Sequence, residues 1–106
     1  MKVHYTKDFL KAAKKQSGKI KESINRAVQE VVDAKSLDDI TDLKKMVDYN
    51  NIYRIRIGSL RAFFTFHIEI VNDTVIFRYL VNRGEAYSKE MKKNLKISKY
   101  QKLSIY

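Results

Sequence analysis

Residues 52–81 read IYRIRIGSLRAFFTFHIEIVNDTVIFRYLV, and this stretch decides the fold class. Its side chains alternate with a period of two, the repeat of a strand rather than a helix. Ile52 to Ile57 sets Tyr53, Ile55 and Ile57 on one face and Arg54 and Arg56 on the other. Gly58-Ser59 is short enough for a hairpin turn. Leu60 to Val71 is a long run of β-formers around Phe63, Phe64, Thr65 and Phe66, and Asn72-Asp73 marks a second turn. Thr74 to Val81 then places Val75, Phe77, Tyr79 and Val81 on one face. The expectation is a three-stranded antiparallel meander, with the Phe63–Phe66 run as core rather than a base-stacking platform.

Upstream of this block the period changes. Val3 to Thr6 reads as a short strand, with Thr6 placed to cap a helix and Asp8 in its first turn. Phe9, Leu10 and Ala13 form a helical apolar face, which Gln16-Ser17-Gly18 interrupts. Ile20, Ile24, Ala27, Val28 and Val31 then recur at spacings of three and four, so two helices follow one another as a hairpin. Ser36-Leu37-Asp38-Asp39 is a capping signal for one helical turn near 37–40. Downstream, Ser88 to Leu95 is compatible with a last helix packed through Met91 and Leu95, and 96–106 reads as a flexible basic tail. The order β-α-α-β-β-β-(α) predicts an α+β fold. Its N-terminal helical hairpin packs on a small, mostly antiparallel sheet in a single domain over 1–106.

The 106 residues carry 22 Lys+Arg against 12 Asp+Glu, a net charge of +10 that points to a polyanionic partner. Residues 54–106 contribute +7 of it. The absence of cysteine excludes disulfides, thiolate zinc sites and a cysteine nucleophile, and two histidines do not make a His-rich metal site. No apolar run approaches the roughly 20 residues of a membrane span. The opening Met-Lys-Val-His-Tyr has no secretory apolar region, so the expected location is cytoplasmic.

The residues able to carry chemistry are Arg54, Arg56, Arg61, Arg78, Arg83 and Tyr87. Arg54 and Arg56 project from one strand face, Arg61 lies across the turn, and Arg83 and Tyr87 follow the third strand. Clustered guanidiniums with a phenol suit a phosphodiester and the charge that develops on it in a transition state. The plainer alternative is a solvated face whose arginines pair with Glu69 and other acids. Lys11, Lys14, Lys15, Lys19 and Lys21 form a basic edge on the helical hairpin, either solvated or in contact with RNA through counterion release. His67, beside Glu69, reads as structural or merely exposed, and His4 has no visible partner.

Tyr53-Arg54-Ile55-Arg56-Ile57-Gly58-Ser59-Leu60-Arg61 closely resembles the YRIRxGxxR signature of the RelE/ParE toxin superfamily. Ser36 to Lys45, with its Leu43-Lys44-Lys45, resembles the approach segment of that superfamily. Val81-Asn82-Arg83-Gly84-Glu85-Ala86-Tyr87 resembles its terminal GHRxxVY segment, and His4-Tyr5-Thr6-Lys7-Asp8-Phe9 fits its first strand and helix start. The resemblance spans about residues 3–90.

It implies the toxin of a type II toxin–antitoxin pair, a ribosome-dependent mRNA endonuclease working without metal or other cofactor. In such enzymes the ribose 2′-hydroxyl attacks its own phosphate, leaving a 2′,3′-cyclic phosphate and a 5′-hydroxyl. Position by position, Arg54 and Arg56 match the basic strand residues that stabilise the reacting phosphate. Arg61 matches the arginine on the scissile phosphate, Arg83 the basic residue after the last strand, and Tyr87 the aromatic that stacks on or orients the nucleotide. Arg78 and the hairpin lysines would contribute RNA binding. An arginine with a pKa above about 12 is a poor general base, so the resemblance leaves the proton-transfer groups open. Asn82 stands where many relatives carry His, Gly84 where a second basic residue is common, and Phe64 where Tyr is frequent.

The implied partners are a cognate antitoxin, mRNA in the decoding site and ribosomal RNA, with no membrane. Two alternatives stay open: a ParE-like inhibitor of DNA gyrase, and a weakened member that only binds its antitoxin.

Overall fold

Aromatic rings drive the packing, and the sheet is arranged so that both of its faces find cover. The computed structural model describes residues 1–98. Its elements are β1 (Lys2–Tyr5), α1 (Lys7–Lys14), α2 (Gly18–Asp33), a single 3-10 turn (Leu37–Asp39), β2 (Leu43–Lys45), β3 (Ile52–Ile57), β4 (Leu60–His67), β5 (Thr74–Asn82) and α3 (Lys89–Ser98). The fold is α+β, with one five-stranded sheet in the order β1-β5-β4-β3-β2. β1 runs parallel to β5 and every other pairing is antiparallel. Lys96 of the expected basic tail belongs to α3, and the expectation for 99–106 lies outside the described residues.

The helical hairpin forms where its signals predict. The Thr6 hydroxyl accepts the Phe9 backbone N–H at 3.2 Å and donates to the Arg78 carbonyl at 2.6 Å, so one side chain caps α1 and ties it to the sheet. Gly18 adopts a positive φ of 61° where the chain turns into α2, a conformation glycine takes without strain. The hairpin covers one sheet face. There Phe9, Ile24 and Val31 meet Ile55, Ile57, Leu60, Ala62, Phe64, Val75 and Phe77. Phe64 and Phe77 meet edge-on at 5.6 Å, and Phe77 lies 5.0 Å from Phe9. Ile20, expected on the packed face of α2, is exposed.

α3 covers part of the opposite face, with Met91 and Leu95 packed on Ile52, Phe63 and Ala86. The Ser88 hydroxyl caps it by accepting the Met91 N–H at 3.1 Å.

Three further features differ from the sequence reading. β2 is a strand that the sequence does not announce, because three residues with one apolar side chain carry no periodic signal. Pairing with β3, Leu43 opposite Ile55, creates it. β4 stops at His67 rather than Val71, leaving Ile68, Ile70 and Val71 exposed. The Asp73 carboxylate accepts the Glu69 N–H at 3.1 Å, so a side chain takes a donor that a longer ladder would have used.

Finally, a β-bulge interrupts the register, with Phe63 opposite Tyr79 but Phe64 opposite Phe77. Arg78 is the extra residue. Val75 and Phe77 therefore pack under the hairpin, whereas Tyr79 and Val81 turn to the α3 face, and the single face expected of all four does not form.

Phe64→Ala removes a fully buried ring packed against Tyr53 and Phe77 and is expected to destabilise the fold by about 3–5 kcal/mol. Urea unfolding checks this. A loss below 1 kcal/mol would mean that the hairpin does not depend on the aromatic cluster.

Candidate functional site

The site grows from a two-residue turn. Gly58 has a φ of 57°, the left-handed region that lets β3 reverse into β4 within Gly58-Ser59. The reversal sets Arg56 directly opposite Arg61 in the antiparallel ladder. Like charges facing one another are unfavourable, and the backbone takes part of that charge. Arg61 Nη1 donates to the carbonyls of Gly58 and Leu60, both at 2.9 Å, and the residue is only 6% exposed. Its guanidinium is thereby fixed in direction, while that of Arg56 is exposed.

The segment after β5 closes the site. The Arg83 backbone N–H donates to the Ser59 carbonyl at 2.8 Å, clipping Arg83 onto the hairpin turn. The Asn82 carbonyl then accepts the N–H groups of Glu85 and Ala86, a turn anchored by the buried Ala86. Tyr87 follows it, 48% exposed. Arg56, Gly58, Arg61, Arg83 and Tyr87 together line one open cleft of about 510 Å³. Three guanidiniums and a phenol converge there, and no carboxylate lines the cleft. This arrangement suits an anionic group with several acceptor oxygens and a flat ring beside it.

Not every expected residue reaches the cleft. Arg54 is 6% exposed and does not line it, and its Nε has no hydrogen-bond partner. Arg78 is 5% exposed, its Nε likewise unpartnered. Desolvation holds the Arg78 pKa below the usual arginine value, partly offset by the electrostatic interaction and hydrogen bond with Tyr79. The bulge that turned Tyr79 over also drew Arg78 inside. Neither arginine lines the cleft that Arg61, equally buried, does reach.

The lysines divide as well. Lys11 and Lys15 border a shallow cavity beside Leu60, Asn82 and Glu85, at the same end of the sheet as the cleft. Lys14 and Lys19 are exposed on the helical hairpin and line neither cavity.

The solvated-face alternative named Glu69, among other acids, as an arginine partner. Glu69 instead binds Lys2 Nζ at 3.1 Å, at the far end of β4, and that bond holds its pKa below the ordinary carboxylate value. His67 Nε2 lies 3.0 Å from Thr65 Oγ1, away from the cleft. Among the described residues no cluster of His, Cys, Asp and Glu is arranged to hold a metal, and no helix is long and apolar enough to cross a membrane. Gly58 and Ser59 are positions that the motif alone reveals only as a turn. Their carbonyls orient Arg61 and hold Arg83.

No protein-family model matches the chain. The chain is similar to Toxin RelE3 of Methanocaldococcus jannaschii, 39% identical over 88 residues, covering 82% of this chain and 96% of that protein. Among solved structures it resembles a RelB–RelE antitoxin–toxin complex from Methanococcus jannaschii. The TM-score is 0.63 at 32% identity, over 78% of this chain and 93% of the matched one. A RelE–RelB complex from Pyrococcus horikoshii OT3 shares the fold, with a TM-score of 0.61 at 17% identity over 80% of this chain and 97% of that chain.

The burial of Arg54 generates a prediction. Replacing a desolvated guanidinium by a flexible apolar side chain of similar length relieves an unpartnered polar atom. Arg54→Met is therefore expected to leave the urea midpoint unchanged or raise it. A loss of about 2 kcal/mol or more would mean the guanidinium is well solvated by its neighbours.

Proposed function

Because the chain belongs to the RelE toxin family, we propose that it is the toxin of a RelE–RelB-type toxin–antitoxin pair and a ribosome-dependent mRNA endonuclease. The observation that carries this reading is the convergence of Arg56, Arg61, Arg83 and Tyr87 on one cleft without a lining carboxylate.

A phosphodiester seated there meets guanidiniums from two adjacent strands and from the segment after β5. When the ribose 2′-oxygen attacks the adjacent phosphorus, negative charge grows on the non-bridging oxygens. Donors already aimed at that position stabilise it without reorganising. The P–O5′ bond breaks, the 2′-hydroxyl proton departs and the 5′-oxygen gains a proton, leaving a 2′,3′-cyclic phosphate and a 5′-hydroxyl. Arginine gives up its proton too reluctantly to act as the base. The guanidiniums therefore bind and stabilise charge, and the Tyr87 ring holds the neighbouring base in a geometry suited to in-line attack. Asn82 supplies no titratable group, and Tyr87 is the one residue lining the cleft, besides the arginines, that carries a titratable proton.

The partner follows from the charge. With +10 on a small surface, an antitoxin with acidic residues over the arginine cleft would neutralise the toxin. Its extended segment would fold as it binds.

Primer extension on a reporter mRNA in a purified translation system tests the activity. Cleavage is expected only when ribosomes are present. Arg61→Ala is expected to lower the cleavage rate by about 10²–10³, the effect of removing one fixed donor from a developing oxyanion. Growth arrest with no cleavage in either condition would overturn the nuclease reading, and a supercoiling assay would then test gyrase as the target.

A further inference from the structure

Tyr87 lines two cavities, not one. Behind the arginine cleft lies a pocket of about 370 Å³ between α3 and the β2 edge of the sheet, bordered by Lys44, Lys45, Tyr49, Tyr87, Lys92 and Lys96. From these residues, and resting on the nuclease reading above, we propose that this pocket is a second subsite for single-stranded RNA. It would receive the nucleotide next to the one whose phosphate sits among the arginines.

Three observations support it. The first is continuity, since Tyr87 borders both cavities, so a strand leaving the cleft passes this residue into the pocket. The second is charge. Lys44 and Lys45 come from the edge strand, while Lys92 and Lys96 stand four apart on α3 and so on one helix face. All four are exposed, and Asp48 is the single acid lining the pocket. Ammoniums gathered from two separate elements around one concavity repel one another unless an anion lies between them.

The third observation is the floor. Met46 and Leu95 supply apolar surface, and Tyr49 is held by its hydroxyl donating to the Lys92 carbonyl at 3.3 Å. Burial and the neighbouring Asp48 keep that phenol above its ordinary pKa, hence neutral. A neutral ring, an apolar floor and lysines at the rim suit a base below and a phosphate above. An acidic peptide would use the lysines but would leave the seat beside Tyr49 without a matching group.

Fluorescence anisotropy with labelled oligouridine of two and of six nucleotides tests the proposal over a range of salt. The wild type is expected to bind the six-mer more tightly. The combined variant Lys44→Ala, Lys92→Ala, Lys96→Ala changes exposed residues only. It is expected to lose at least tenfold in six-mer affinity, to lower the salt slope by about 2, from about 0.7 per removed phosphate contact, and to leave two-mer binding unchanged. Tyr49→Leu is expected to reduce six-mer affinity without changing the salt slope. Arg83→Ala, in the cleft, is expected to weaken both lengths.

A wild type that gains nothing from the longer RNA has no second subsite, which overturns the proposal, as does a lysine variant that binds the six-mer like the wild type. A variant that keeps RNA affinity but loses affinity for the antitoxin overturns it in favour of a protein partner. The same variants assayed for ribosomal mRNA cleavage separate the two readings. Wild-type cleavage with length-independent RNA binding removes only the second subsite, whereas absent wild-type cleavage removes the nuclease.

Discussion

The two-residue reversal at Gly58-Ser59 is the constraint on which the candidate site depends. A longer connection would leave Arg56 and Arg61 free to slide out of register. At this length they must face each other across the ladder. The same turn exposes two carbonyls in a defined direction. Arg61 uses that of Gly58, and the Arg83 N–H uses that of Ser59, so one backbone reversal holds three arginines from three stretches of chain. The candidate site is thus built on the end of a sheet, where strand pairing rather than a loop positions its side chains.

The second organising feature is that the sheet is covered on both faces by different means. The helical hairpin, packed through Phe9, Ile24 and Val31, supplies the larger core against Phe64 and Phe77. α3 supplies a smaller one against Ile52 and Phe63. The bulge at Arg78 makes this possible, because it turns Tyr79 and Val81 toward α3 while leaving Val75 and Phe77 under the hairpin. It also draws a guanidinium into the interior, where desolvation lowers its pKa. α3 then does two things at once: its apolar side closes the small core, and its Lys92 and Lys96 face a pocket that adjoins the arginine cleft through Tyr87.

The alternation of Tyr53-Arg54-Ile55-Arg56-Ile57, the glycine turn and the helical spacing of Ile24, Val28 and Val31 are local properties of the chain. Period, turn chemistry and capping act over a few residues, so sequence alone determined the α+β class, the helical hairpin, the antiparallel β3-β4-β5 run and the facing of Arg56 and Arg61. Motif order also identified Arg83 and Tyr87 as companions of the strand arginines.

Tertiary structure decided the rest, because it depends on what each residue meets across the fold. Leu43–Lys45 became a strand only by pairing with β3. Ile68, Ile70 and Val71 have strand-like composition, yet Asp73 takes the Glu69 N–H and the ladder ends at His67. One inserted residue reversed the facing of Tyr79 and Val81, a shift that no single-strand pattern can show. The division of five arginines into Arg54 and Arg78, which do not line the cleft, and Arg56, Arg61 and Arg83, which line it with Tyr87, has the same cause. Charge is written in the sequence, but whether it meets water or a phosphate is set by the neighbours that packing supplies.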